Sequence, residues 1–168
     1  MSDKDTGMAQ ELKIPPSGLM LGLAGLIPFY GLAIWQGITP DELLSERLIT
    51  AFVLYAACIL SFLGGVGWGL AMSETDQLQR GLNFGISTAP SLVGWAAAFI
   101  NVQNLPFSLS ILAMAFLLQG LWDWRLAASG RAPHWFGTLR IGLTIAVISA
   151  LALAWMMRPE LAGTSGSL

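Results

Sequence analysis

Residues 59–72 constrain this chain more than any other stretch. They read Ile59-Leu-Ser-Phe-Leu-Gly-Gly-Val-Gly-Trp-Gly-Leu-Ala-Met72, with Gly64, Gly65, Gly67 and Gly69 inside six positions at the end of an apolar run. A glycine in a helix interior costs about 1 kcal/mol relative to alanine, so four together require a compensating gain. A bilayer supplies one. There, small residues let helix backbones touch, and van der Waals packing replaces a hydrophobic drive that lipid does not provide. The stretch reads as a helix-packing surface, or as a place where something approaches the backbone with Ser61 as its polar handle.

Composition supports the membrane. Hydrophobic residues make up 55% of the chain, charged residues 11%, and mean hydropathy is +0.66, whereas soluble domains carry about 25% charged residues. A net charge of −2, with no basic patch interleaved with aromatics, argues against nucleic acid. The single cysteine, Cys58, sits among Ala57, Ile59 and Leu60 and reads as a small hydrophobe.

Counted in spans of about 20 residues, the chain predicts an all-α fold: a polytopic membrane protein, a bundle of five transmembrane helices. The spans are 17–35, 48–72, 83–100, 105–122 and 140–157. A cytosolic N-terminal tail, 1–16, precedes them and a C-terminal tail, 158–168, follows. The acidic, uncleaved-looking start, with Asp3 and Asp5, does not fit a secretory signal. Pro28 falls inside span 1. Before span 2, Thr39-Pro-Asp-Glu42 predicts a helix start with Thr39 as cap, Pro40 at the first position and Glu42 completing a capping box. Within span 2, Ala57, Ser61, Gly65 and Gly69 recur every fourth residue, and Gly142, Ala146, Ala150 and Ala154 repeat the pattern in span 5. Span 3 is the most polar. Pro90 is expected to bend it, with Ser87 or Ser91 re-bonding the loosened backbone. Asn104 is the expected cap of span 4.

Six basic residues (Lys4, Lys13, Arg80, Arg125, Arg131, Arg140) fall on one predicted side, and Arg47 and Arg158 on the other. The positive-inside rule then predicts a cytoplasmic N-terminus and an outside C-terminus, with a bacterial inner (cell) membrane as the expected location. All seven tryptophans lie near span ends or in connectors, where an aromatic belt belongs. Asp123 closes span 4 and Arg140 opens span 5, so antiparallel helices are expected to bring them together as an interfacial ion pair, the alternative being that Arg125 or Arg131 neutralises Asp123 and Arg140 is a topology anchor alone.

No constellation for catalysis emerges. The one histidine, His134, has no partners for a metal, and Gly64–Gly69 lacks the Lys-Ser/Thr of a phosphate loop. The expectation is no enzyme, no cofactor and no metal. The favoured function is packing or assembly with other membrane proteins or with further copies of itself, within the lipid bilayer. The alternative is a small carrier or permeation protein for a polar solute, with Ser61, Ser87, Ser91 and the backbone near Pro90 lining a path.

Four pieces of the chain carry a family resemblance: Ile59–Gly69, Ala89-Pro-Ser-Leu-Val-Gly-Trp95, Asp123-Trp-Arg125, and Pro133-His-Trp135 followed by Leu139-Arg140 and Leu143-Thr144. On these the chain resembles the domain of unknown function 3429 family. The resemblance implies a small multi-span membrane protein and supplies no activity. It also implies one departure, because the family usually carries a His or Arg where this chain has Gly67.

Overall fold

The computed structural model describes residues 13–158. Residues 1–12 and 159–168, which hold most of both predicted tails and Lys4, lie outside the described residues. The described chain is helical and contains no strand: α1 (Pro16–Ala24), α2 (Leu26–Ile38), α3 (Glu42–Ala71), α4 (Gln77–Asn101), α5 (Leu105–Ala128) and α6 (His134–Met156). Helices α1 and α2 are the two halves of one rod, so five rods make the bundle.

The break in the first rod has a local cause. Pro28 has no N–H, so the carbonyl of Ala24 loses its helical donor, and the chain re-starts at Gly25. The Tyr55 hydroxyl of α3 donates to the Gly25 carbonyl at 2.9 Å, the kind of neighbour contact that lets a membrane helix tolerate a proline. Before α3 the cap is Asp41, not Thr39: Asp41 Oδ1 accepts from the Leu44 backbone N–H at 3.2 Å, and the helix begins at Glu42. Both Thr39 and Asp41 are competent cap types, and extended backbone at Asp41 decides between them. Asn104 caps α5 through Phe107 N–H at 3.0 Å, as the sequence predicts.

Four rods, Pro16–Ile38, α3, α5 and α6, are long and apolar enough to cross a membrane. Helix α4 falls short in apolarity, because Gln79, Arg80, Asn83, Ser87, Thr88 and Ser91 dilute it. Its 25 residues still extend about 38 Å at 1.5 Å per residue, enough for a hydrocarbon core of about 30 Å. It runs unbroken through Pro90. The hydroxyl that bonds the backbone nearby is that of Thr88, to the Phe84 carbonyl at 3.0 Å, rather than that of Ser87 or Ser91.

Successive helices from α2 to α6 pack on one another, α6 returns to α2, and α3 also touches α5, so the rods close into a ring. Phe29 of α2 sits at its centre, edge-on to Phe52, Tyr55 and Phe116 with ring centroids 5.0–6.1 Å apart. Around it lie Val53, Ala56 and Leu60 of α3, Ala97 of α4, Leu112 of α5, and Ala150 and Ala154 of α6, all fully buried. Lipid is as apolar as these side chains, so close packing and interhelical hydrogen bonds must hold the ring. Such bonds include four that join neighbouring rods. Gln36 Nε2 donates to the Ala154 carbonyl at 3.0 Å, Tyr30 donates to the Ala146 carbonyl at 3.0 Å, Ser108 Oγ donates to the Ala97 carbonyl at 2.7 Å, and Asn101 Nδ2 donates to Thr50 Oγ1 at 3.3 Å.

Candidate functional site

The glycine stretch divides by helix face. Gly64 and Gly67 are buried against α4, where a Cβ on Gly64 would collide with the Ser87 carbonyl oxygen and one on Gly67 would come within 2.8 Å of Ser87 Oγ. Across the same seam Gly94 of α4 meets Ala57, with 3.0 Å from its missing Cβ to the Ala57 Cα. Gly65 and Gly69, expected to pack, have nothing within 4 Å of where a Cβ would stand. They are exposed on the outside of α3 together with Ser61, whose hydroxyl bonds back to the Ala57 carbonyl of its own helix at 2.9 Å. Adjacent helical residues point about 100° apart, so Gly64 and Gly65 cannot share a neighbour. Cys58 is exposed and, three and seven residues before Ser61 and Gly65, shares their face.

At the end of the bundle formed by the turns 71–77 and 128–134, polar side chains gather inside. Arg140 Nε donates to Asp123 Oδ2 at 2.7 Å, and Gln119 Nε2 donates to Asp123 Oδ1 at 2.9 Å. Sequence reasoning expects an interfacial pair, but Asp123 is 2% and Arg140 7% exposed, which makes this a buried one. The cause is the closeness of α5 and α6 on either side of the pair. Gly120 admits the Thr144 side chain, and Gly137 admits Ala127 Cβ. Contacts 120–144, 123–140 and 127–137 keep one antiparallel register, and water is squeezed out between them. Arg140 Nη2 and Thr144 Oγ1 are sealed in without hydrogen-bond partners. On the side of α1, Arg140 and Thr144 also border an apolar cavity of about 440 Å³ walled by Gly18, Gly22 and Leu143 among others.

A second cavity, about 320 Å³, lies between α3, α4 and α5 at the same end. Its walls include Gly67, Asn83, Ser87 and Trp122, and its rim includes Glu74 and Arg131. Arg131 Nη2 stands 3.5 Å from Glu74 Oε2, a loose ion pair open to solvent. Asn83 is 9% and Ser87 8% exposed, yet neither side chain bonds to any described residue. Their polar atoms are not among the sealed ones; they open into the cavity. Of the serines and proline singled out in span 3, only Ser87 reaches this space. Pro90 and Ser91 are half-buried, and Pro90 packs toward Gly64 and borders a separate apolar groove.

Gln119, Gly120 and Gly137 go unremarked in the sequence, and Asn83, Glu74 and Thr144, though visible as a polar residue of span 3, part of a polar turn and part of the family pieces, are not singled out as site residues. The spacing offers a signal for three of them. Gln119 precedes Asp123 by four, Thr144 follows Arg140 by four, and Asn83 precedes Ser87 by four, so each shares a helix face with a polar residue. Among the described residues no three of His, Cys, Asp and Glu converge as for a metal.

Comparison with known proteins yields one family and two informative relatives. The profile of a family described as a protein of unknown function, DUF3429, matches residues 14–156. Transmembrane protein 69 of Xenopus tropicalis is 35% identical over 138 residues, which is 82% of this chain and 53% of that protein. Transmembrane protein 69 of Mus musculus is 30% identical over 136 residues, 80% of this chain and 53% of that protein. The chain thus spans about half the length of the curated relatives it matches. No solved structure matches.

Proposed function

This chain belongs to the DUF3429 family, and on that premise we propose that it is a non-enzymatic packing or assembly partner, an integral membrane protein that docks a membrane-spanning helix of another chain. One observation carries the reading: Ser61, Gly65 and Gly69 of the longest helix face outward, with nothing against Gly65 or Gly69. Small residues at four-residue spacing on a lipid-facing surface favour close helix crossing, and the interior of the bundle makes no use of these. The carrier alternative has weaker support. Of its three serines only Ser87 lines the polar cavity, while Ser61 is turned outward and bonded to its own helix. The buried Asp123–Arg140 pair, which would default to a functional site in a membrane helix, is bonded to itself and serves to join α5 to α6.

The same reading carries an orientation. Arg80, Arg125, Arg131 and Arg140 gather toward the end that holds the polar cavity, and Arg47 lies toward the other. That asymmetry supports a cytoplasmic cavity end and, in a bacterial inner membrane, an N-terminus inside.

Cys58 provides the test. It is the only cysteine in the chain and lies on the docking face. Oxidative crosslinking in native membranes, followed by mild-detergent purification, captures a partner through this thiol: a dimer when the partner is a second copy, a mixed adduct otherwise. Gly65→Leu is expected to abolish the adduct while leaving the melting temperature unchanged. Association that survives Gly65→Leu and Gly69→Leu together overturns the reading.

A further inference from the structure

The polar cavity holds unpartnered groups that neither the family description nor the docking reading accounts for. An amide and a hydroxyl, each more than nine-tenths buried, open into about 320 Å³ with no protein partner. Buried polar groups are ordinarily satisfied, and these two face the cavity rather than any protein partner. Both residues lie on α4, whose polarity sets it apart from the four strongly apolar rods. At the rim, Glu74 and Arg131 set a carboxylate and a guanidinium side by side at 3.5 Å, longer than the 2.7 Å of the buried pair. A loose pair of opposite charges beside unpaired neutral donors and acceptors matches a guest with both charges.

We propose that this cavity binds a zwitterion with a primary ammonium and an acid group, the chemistry shared by an ethanolamine phospholipid head group and by a free amino-acid-like solute. The ammonium lies at Glu74, the acid group at Arg131, and the Asn83 amide and Ser87 hydroxyl complete the hydrogen bonds of the guest. Net neutrality matters here, because an unpaired charge taken from water into this depth carries a desolvation cost that opposite charges offset. Trp122 in the wall adds an aromatic surface suited to an ammonium. Ser87 is ten residues into α4, about 15 Å from its start, so the site reaches from the interface into the bundle. Both a head group and a solute from water have access to such a depth.

The test uses the full chain in nanodiscs of phosphatidylcholine. Glycerophosphoethanolamine is titrated against glycerophosphocholine, which keeps the acid group and blocks the ammonium donors, with the melting temperature as readout. A parallel sample replaces the lipid by phosphatidylethanolamine. Protection by the soluble ethanolamine probe identifies a free solute; protection by phosphatidylethanolamine alone identifies the head group. Either supports the proposal, provided Glu74→Gln weakens the effect by about tenfold or more, the loss typical of a charge-assisted hydrogen bond. Glu74 lies on a turn, where this substitution leaves the fold intact, and Asn83→Leu, which fills the cavity, is a second expected loss. No protection by either ethanolamine species, equal protection by the choline compounds, or full binding by Glu74→Gln overturns it.

Discussion

Asp123 and Arg140 hold each other across the α5–α6 seam, Nε to Oδ2 at 2.7 Å, with both side chains almost wholly buried. A buried pair of this kind is weak evidence for net stability, but breaking it leaves a stranded charge, at a cost of about 3–5 kcal/mol. Asp123→Ala and Arg140→Ala are therefore each expected to lower the detergent melting temperature sharply. The charge swap Asp123→Arg with Arg140→Asp is expected to be more stable than either of its single substitutions. A double variant no better than the worse single one refutes the coupling.

The glycine stretch yields a contrast between neighbours. Gly64→Ala drives a methyl into the Ser87 carbonyl oxygen, a backbone atom that moves only with its helix, and overpacking of this sort costs about 1–3 kcal/mol. Gly65→Ala meets open space and is expected to be neutral or slightly stabilising, since alanine is the better helix former. Thermal melts of the two variants side by side decide the matter; equal melting temperatures contradict the assigned faces.

A third expectation concerns Gly120 and Thr144. An added methyl at Gly120 runs into the Thr144 side chain, so Gly120→Ala is expected to destabilise by about 1–3 kcal/mol. Thr144→Ala removes the obstacle together with a hydroxyl that has no partner, and is expected to be tolerated. Because the two residues touch, their effects are not additive. The double variant is expected to recover most of the loss in a melting cycle.

Tyr55 anchors the break in the first rod. Tyr55→Phe removes the donor to the Gly25 carbonyl, worth about 1 kcal/mol. No residue of α1 is buried, so little else holds it. Amide exchange of residues 16–25 is expected to speed up, while exchange in α3 below its first turns stays unchanged.

That the chain folds into five apolar-to-amphipathic rods is legible because a bilayer calls for runs of about 20 residues, although the helices extend beyond the expected spans and only four of the rods are apolar enough to cross. Asn104 is legible as a cap because Pro106 follows it in the first turn and fixes where the helix begins. Near Thr39 and Asp41 two competent caps lie within one turn, and only backbone geometry separates them. The facing of the glycines is less accessible still. With glycine at 64, 65, 67 and 69, small residues surround most of the helix, and no periodicity says which side meets α4. Ser87 makes that choice, and it lies on another helix. The polar cavity is hardest to foresee, since Asn83 and Ser87 meet Glu74 and Arg131 only after three helices and two turns are in place. The ion pair stands between these cases. Its two partners are suggested by the short α5–α6 connector, but its burial depends on Gly120 and Gly137.

Ring closure also imposes a timetable on synthesis. The Gln36 amide and the Tyr30 hydroxyl of α2 find their acceptors on α6, 118 and 116 residues downstream. At about 5–20 residues per second, α2 waits roughly 6–24 s in the membrane with a carboxamide and a phenol that no later helix has yet met. For that interval the nascent protein carries its own vacancy, which an insertion factor or another helix can fill. A chain that stops short of α6 never gains either acceptor, so its first rod keeps two polar groups unbonded among apolar surroundings.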